Sequence, residues 1–317
     1  MSGARRAAFA MCDLHVDTLS ELLRLGGNFN GPRPDLQVDV ARLRAGSVRL
    51  LLFACFTRDG QAAPEREVAR MLELAAALDA DPACPLRRVT TPAEVAALAP
   101  DEIGFLLTIE NAQSLAGDVG ALEYWRAAGV RIVGLTWNGA NDLGCGVLAA
   151  QDRGLTDFGR EVVREIARLG MAVDLSHLAP RGVHEVLELD VPVLATHSNA
   201  RAICDHPRNL SDVQLRGIAA RDGVVGVVCF PPFLTAAEYA GLTDMVRHAQ
   251  HLASILGAER VALGTDFDGI QKCPVDFGSH ADAPRFAERL RASGFDAAAV
   301  GGILGRNYLE WWSRWSR

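Results

Sequence analysis

Eight short runs rich in apolar and β-branched residues recur along the chain with helix-like segments between them, and this alternation constrains the fold more than any other feature. The runs are AMCDLHVD (10–17), VRLLLFACF (48–56), IGFLLTIE (103–110), VRIVGLTWN (130–138), GMAVDLSH (170–177), VPVLATHSN (191–199), GVVGVVCFP (223–231) and RVALGTDFDG (260–269). Between them EREVARMLELAAALDA (65–80), DFGREVVREIARLG (157–170), SDVQLRGIAARDG (211–223) and LTDMVRHAQHLASILG (242–257) carry apolar residues at helical spacing. Ser211 is placed to cap the helix that Gly223 follows, and Gly170 and Gly257 sit where helices stop before a strand. Continuous apolar strands alternating with helices predict a parallel sheet buried on both faces, and eight such units predict a (β/α)8 TIM barrel. The alternative, a doubly wound sheet, needs a Gly-rich phosphate-binding turn after its first strand. Here that strand ends in His15-Val16-Asp17 instead.

Neither an internal repeat nor an interdomain linker interrupts the pattern, and GGNFNGPRPD (26–35) reads as a loop, so a single domain over residues 1–317 is expected. The C-terminal GRNYLEWWSRWSR reads as a closing helix with exposed tryptophans, docked on the barrel or lying in a subunit contact that would permit a homodimer.

Charge narrows the partners. The formal net charge is −7 with no basic cluster, which leaves nucleic acid and anionic membranes without an electrostatic footprint and favours a small-molecule ligand. Seven scattered cysteines without a CxxC pair fit a reducing compartment. The N-terminus lacks the apolar core of a signal peptide and no later run is long enough to span a bilayer, so a cytoplasmic location is expected.

In a barrel of this kind chemistry gathers where the strands end. The first run supplies His15 and Asp17, the third Glu110, the fifth His177, the sixth His197 and the eighth Asp266 and Asp268; the fourth adds Trp137, Asn138 and Asn141. Residues two apart on a strand share a face, so His15 and Asp17 can reach one ion. Three of the eight histidines fall at strand ends beside these acidic residues, a donor set suited to zinc, iron or manganese. The other five, His184, His206, His248, His251 and His280, fall in helix or loop patterns and read as structural or solvated. A bridging lysine carbamate is excluded, because Lys272 is the only lysine and lies beyond the last strand; Glu110 is the natural bridge.

Taken together, DLHVDTL, TIEN, LTWN, DLSH, THSNARAICDHPRNLSD, GVVGVVCFP and GTDFDG resemble, in order and over nearly the whole chain, the renal or membrane dipeptidase family of zinc peptidases. The resemblance implies two zinc ions per chain, one held by His15, Asp17 and Glu110 and the other by Glu110, His177 and His197. It implies that Arg208 grips the substrate carboxylate, that Asp266 handles the proton and that a metal-bridged hydroxide cleaves the amide bond of dipeptides, L,D-dipeptides among them. Such ions would acidify the water and polarise the carbonyl, Asp266 would act as base and then acid, and a guanidinium suits a carboxylate through paired hydrogen bonds. Asp13 is expected to orient His15 from behind.

One position departs from the family pattern. Trp137 stands where many relatives have a histidine that contacts the carbonyl oxygen, which removes one donor; its indole N–H, Asn138 or Asn141 could substitute. Two competing readings follow: a related amidohydrolase acting on N-acyl amino acids or lactones, and a metal-retaining protein without catalysis.

Overall fold

The computed structural model describes residues 10–27 and 29–316. Its strands are β1 (Met11–Val16), β2 (Val48–Phe56), β3 (Leu86–Arg88), β4 (Ile103–Glu110), β5 (Val130–Gly134), β6 (Ala172–Asp174), β7 (Val193–Ala195), β8 (Val224–Val227) and β9 (Val261–Leu263). Eight of them follow one another around the sheet in the order β1-β2-β4-β5-β6-β7-β8-β9, all parallel, while β3 pairs with β4 off that path. The sheet closes on itself where Asp266 N–H donates to the His15 carbonyl and Asp17 N–H to the Phe267 carbonyl, both at 2.9 Å. The seam of the barrel therefore runs through three residues singled out above. The short β3 precedes the third predicted run and is the one strand the alternation misses.

The core has two shells, as a closed parallel sheet requires. Cys12, Leu14, Leu50, Leu52, Leu106, Ile132, Leu194 and Val224 fill the barrel interior. Phe53, Phe105, Val133, Val173, Val193, Val225 and Leu263 face outward onto the helices. The four predicted helices form over Pro64–Ala80, Asp157–Arg168, Asp212–Ala220 and Leu242–Leu256. Ser211 caps the third reciprocally: its Oγ accepts from Gln214 N–H at 3.3 Å, and the Gln214 side chain accepts from Ser211 N–H at 2.9 Å. The helix-ending Gly170 and Gly257 take φ of 64° and 88°, which side chains resist.

Two expectations are corrected. The C-terminal tryptophans are not exposed: on the helix Asn307–Trp315, Tyr308, Trp311 and Trp312 are buried and close the barrel floor beneath Cys12 and Leu14. Aromatic residues three and four apart form one face, and the floor is where that face finds apolar cover. The tryptophans thus give no ground for a subunit contact. The later strands are also shorter than their sequence runs. Left-handed backbone at His177, Asp266 and Asp268, each with φ of 66°, ends strand geometry and puts the polar tails of those runs in loops. Among the described residues no helix is long and apolar enough to cross a membrane.

Candidate active site

The loops at the carboxyl ends of the strands surround a cavity of about 1040 Å³ whose lining includes Asp17, Glu110, Trp137, Asn138, His177 and Asp266. Glu110, the last residue of β4, lines it and offers one oxygen to each of two histidines. Its Oε2 is 3.2 Å from His15 Nε2, and its Oε1 is 3.0 Å from His177 Nε2. Asp17 Oδ2 lies 3.6 Å from the same His15 nitrogen, and His177 Nε2 lies 3.0 Å from His197 Nε2. The donor atoms of His15, Asp17 and Glu110, and again those of Glu110, His177 and His197, fall within 4.8 Å of one another, as do those of His15, His197 and Asp266.

The remaining ring nitrogens point away from this centre and are anchored. His177 Nδ1 meets Asn138 Oδ1 at 3.0 Å, while Thr196 Oγ1 lies 2.8 Å from His197 Nδ1 and 3.3 Å from His15 Nδ1. The sequence reading missed Thr196 and its partner Asp174, although both lie in quoted motifs, ATHSN and DLSH. The available signal was Asp174 two residues before Ser176 at a strand end.

Burial and mutual charge set the protonation. Burial, then the cationic Arg208, pushes the His177 pKa down to about 4, and burial, then His15, drives His197 well below its ordinary value. Both imidazoles are therefore neutral and present lone pairs. Burial alone would lower His15 too, but Glu110 and Asp17 outweigh it and raise its pKa well above normal. Burial works to raise Glu110, yet His15 and His177 hold it below the carboxylate range. Asp266 is pushed well upward by burial and then by Asp17.

This donor set fits divalent cations. Two neutral imidazole nitrogens face each other at 3.0 Å across a shared carboxylate, and the buried Asp17 Oδ1 has no hydrogen-bond partner. Lone pairs crowded together on buried side chains are costly unless a cation unites them. Gly269 keeps the space open, since a Cβ there would run into Asp17 Oδ2 and come within 2.6 Å of Asp266 Oδ1.

Arg208 is 3% exposed and has no carboxylate within 4.0 Å among the described residues. Its Nη2 donates to the His197 carbonyl at 3.0 Å, its guanidinium lies 5.3 Å from the Phe233 ring centre, and its Nε is unpartnered. A buried guanidinium left this way is suited to receive an anion. Trp137 stands edge-on to Phe56, ring centres 5.2 Å apart, as one wall of the cavity.

Three sequence expectations are redirected. Asn141 cannot serve as a carbonyl donor: its Nδ2 is taken by Asn111 Oδ1 and the Leu135 carbonyl, and its Oδ1 by Leu143 and Gly144 N–H. Asn138 keeps its Nδ2 for such a role, since it is its Oδ1 that meets His177. Asp13 does not reach the His15 ring: it accepts from His15 N–H at 3.2 Å, from Thr265 N–H and Oγ1 at 2.8 and 2.6 Å, and from His280 Nε2 at 2.7 Å. A register shift between Asp13 and Val16 breaks the alternation that would have put Asp13 and His15 on one face. Asp268 braces loops, accepting from Thr18 Oγ1 at 2.7 Å and Gln37 N–H at 2.6 Å.

Comparison with known proteins finds one family and several structural neighbours. The model of the membrane dipeptidase family, peptidase family M19, matches residues 5–315. An uncharacterized protein of Klebsiella pneumoniae is 40% identical over 213 residues, 64% of this chain and 78% of its own. An uncharacterized dipeptidase of Schizosaccharomyces pombe is 35% identical over 217 residues, 67% of this chain, and the match spans 53% of that relative's length. Among solved structures, a metallo peptidase from Rhodobacter sphaeroides liganded with a phosphinate mimic of the dipeptide L-Ala-D-Ala superposes with a TM-score of 0.90 at 26% identity, covering 97% of this chain and 99% of that one.

Proposed function

Because the chain belongs to the membrane dipeptidase family of metallopeptidases, we propose that it hydrolyses the amide bond of dipeptides, including those with a D-residue on the carboxyl side, in a site holding two zinc ions. The observation that carries this reading is Glu110, whose two oxygens face two separate sets of donors. In the proposed site His15, Asp17 and Glu110 hold one ion, and Glu110, His177 and His197 the other. When bound, the ions supply Lewis acidity and a more acidic water.

The chain's own groups do the rest. Arg208 takes the substrate's terminal carboxylate, replacing the salt-bridge partner it lacks, and so fixes which end of the dipeptide lies deepest. Asp266 has its pKa raised by burial and then by Asp17, so it is suited to hold a proton and return it to the leaving amine. Trp137 and Phe56 form the apolar wall for a substrate side chain, and Asn138 holds His177 while bordering the same space. The phosphinate-bound relative supports the inclusion of L,D-dipeptides, since its ligand mimics L-Ala-D-Ala. Seven unpaired cysteines support a reducing, cytoplasmic setting.

The test is metal content per chain of the purified protein, measured with hydrolysis of matched L,L- and L,D-dipeptides by the same sample. Two ions and turnover are expected, with L,D-dipeptides among the substrates. Two ions without turnover of either series would sink the dipeptidase reading.

A further inference from the structure

Thr196 follows β7 directly, and its surroundings leave its hydroxyl one place to be. Its N–H donates to Asp174 Oδ1 at 2.9 Å, and Ser176 N–H reaches the same oxygen at 2.9 Å. Asp174 Oδ2 lies 2.5 Å from Thr196 Oγ1. From the other side Gly226 and Gly264 press so closely that a Cβ on either would collide with the Thr196 carbonyl oxygen.

A hydroxyl has one proton and two lone pairs, and here three partners surround it. Asp174 already accepts two backbone N–H groups, and as a carboxylate it takes the hydroxyl proton as well. Both lone pairs then face ring nitrogens, His197 Nδ1 at 2.8 Å and His15 Nδ1 at 3.3 Å, so both rings must donate from Nδ1. The opposite choice would set a hydroxyl lone pair against the Asp174 carboxylate. Protons on both Nδ1 atoms leave Nε2 of each ring as its metal-binding atom, and these are the nitrogens turned toward Glu110 and His177.

We infer that Thr196, fixed by Asp174, is a positioning residue shared between the two ion sites, orienting His15 for one and His197 for the other through a single hydroxyl. This rests on the two-ion reading above. It has a consequence that independent supports would lack: loss of the hydroxyl weakens both ions, whereas loss of the Asn138 contact, which holds only His177, weakens one.

The experiment compares wild type, Thr196→Val, Thr196→Ser and Asn138→Ala. Stepwise Zn²⁺ affinities come from competition with a chelator, and ¹⁵N spectra of ring-labelled histidine report tautomers in the metal-free protein. Thr196→Val should weaken both steps by roughly 10–100-fold, the range typical of lost ligand support. Thr196→Ser should restore them to within a few-fold, and Asn138→Ala should weaken one step only. In metal-free wild type the neutral His197 should carry its proton on Nδ1, and Thr196→Val should lose that preference. Unfolding midpoints of the metal-free variants separate this from general destabilisation, since Thr196→Ser keeps the hydroxyl while losing the methyl. Unchanged affinities in Thr196→Val, loss of only one step, or a proton on Nε2 of His197 in wild type would overturn the shared positioning role and leave the two-ion reading standing. Wild type that takes up no Zn²⁺ would overturn both.

Discussion

Asp13 and His280 are 267 positions apart in the chain, and their side chains meet at 2.7 Å with both fully buried. Asp13 also receives the main-chain N–H of His15 and of Thr265, so one carboxylate clasps the two strands whose continuations carry His15, Asp17 and Asp266. His280 secures that carboxylate from a segment packed so tightly on Gly46 that a Cβ there would strike the His280 carbonyl. His280→Phe keeps the ring volume and leaves the buried carboxylate short of a partner. We expect a loss of about 2 kcal/mol, within the range for a hydrogen bond to a charged group, read as a lowered urea midpoint with an unchanged slope. A loss below about 0.5 kcal/mol, within the range of ordinary surface substitutions, would show that His15 N–H and Thr265 satisfy Asp13 without His280.

The barrel was legible because its signal is repetitive: eight apolar runs and capped helices each point to the same architecture. What escaped was non-local. β3 is three residues long and has no pattern to announce it. The buried face of the C-terminal helix could not be read as buried until the floor of inward-facing strand residues existed to receive Trp311 and Trp312.

Gly269 is expected to tolerate no side chain, for steric reasons and not conformational ones. Its φ lies outside the left-handed range, but a methyl group would intrude on Asp17 Oδ2 and press on Asp266 Oδ1. Gly269→Ala should therefore displace the two carboxylates, lowering kcat/KM by roughly 100-fold or more, since misplacement by about 1 Å costs that much. The thermal midpoint of the metal-free protein should move little, as the loop is at the surface. Full activity in this variant would mean that the loop yields and that the proposed Asp17 and Asp266 roles need no fixed spacing.

The candidate site was legible residue by residue but not in its wiring. Histidines and carboxylates at strand ends announce themselves by type and place, and Glu110 followed from the single lysine lying elsewhere. Nothing in the order of residues says that Asn138 turns to His177, that Asn141 is consumed by its own loop, or that Thr196 stands between two rings. Those contacts join loops from different strands, and a register shift of β1 between Asp13 and Val16 is equally invisible in the order of residues.

Arg208 should separate binding from chemistry. Arg208→Met keeps much of the stem and removes the charge, so KM for a dipeptide should rise by roughly 10–100-fold, the worth of a charge-assisted hydrogen bond. An amidated dipeptide, lacking the carboxylate, should show little change between the two enzymes. Arg208→Lys should recover only part of the loss, because an ammonium cannot make the paired contact. Equal losses on free and amidated dipeptides would remove the carboxylate from Arg208's role.

His248 should give the fold an acid limit close to the site. Its Nδ1 accepts from Ala200 N–H at 3.1 Å and its Nε2 donates to the Leu234 carbonyl at 3.0 Å, which requires the neutral ring. Burial is the main cause that pushes its pKa down to about 4, against about 6.5 when unfolded. The unfolded chain therefore binds the extra proton throughout the interval between those values. The stabilisation is complete above pH ~6.5 and is lost as the pH falls toward ~4, by roughly 3 kcal/mol in all. Ala200 begins the loop that pairs with Leu210, two residues beyond Arg208, so this loosening should begin beside the proposed carboxylate pocket. His248→Gln can make both hydrogen bonds without titrating. Chemical denaturation from pH 7 to pH 4 should show the wild type losing about 3 kcal/mol relative to this variant, and a difference that stays constant over that range would mean that His248 is not the group that charges.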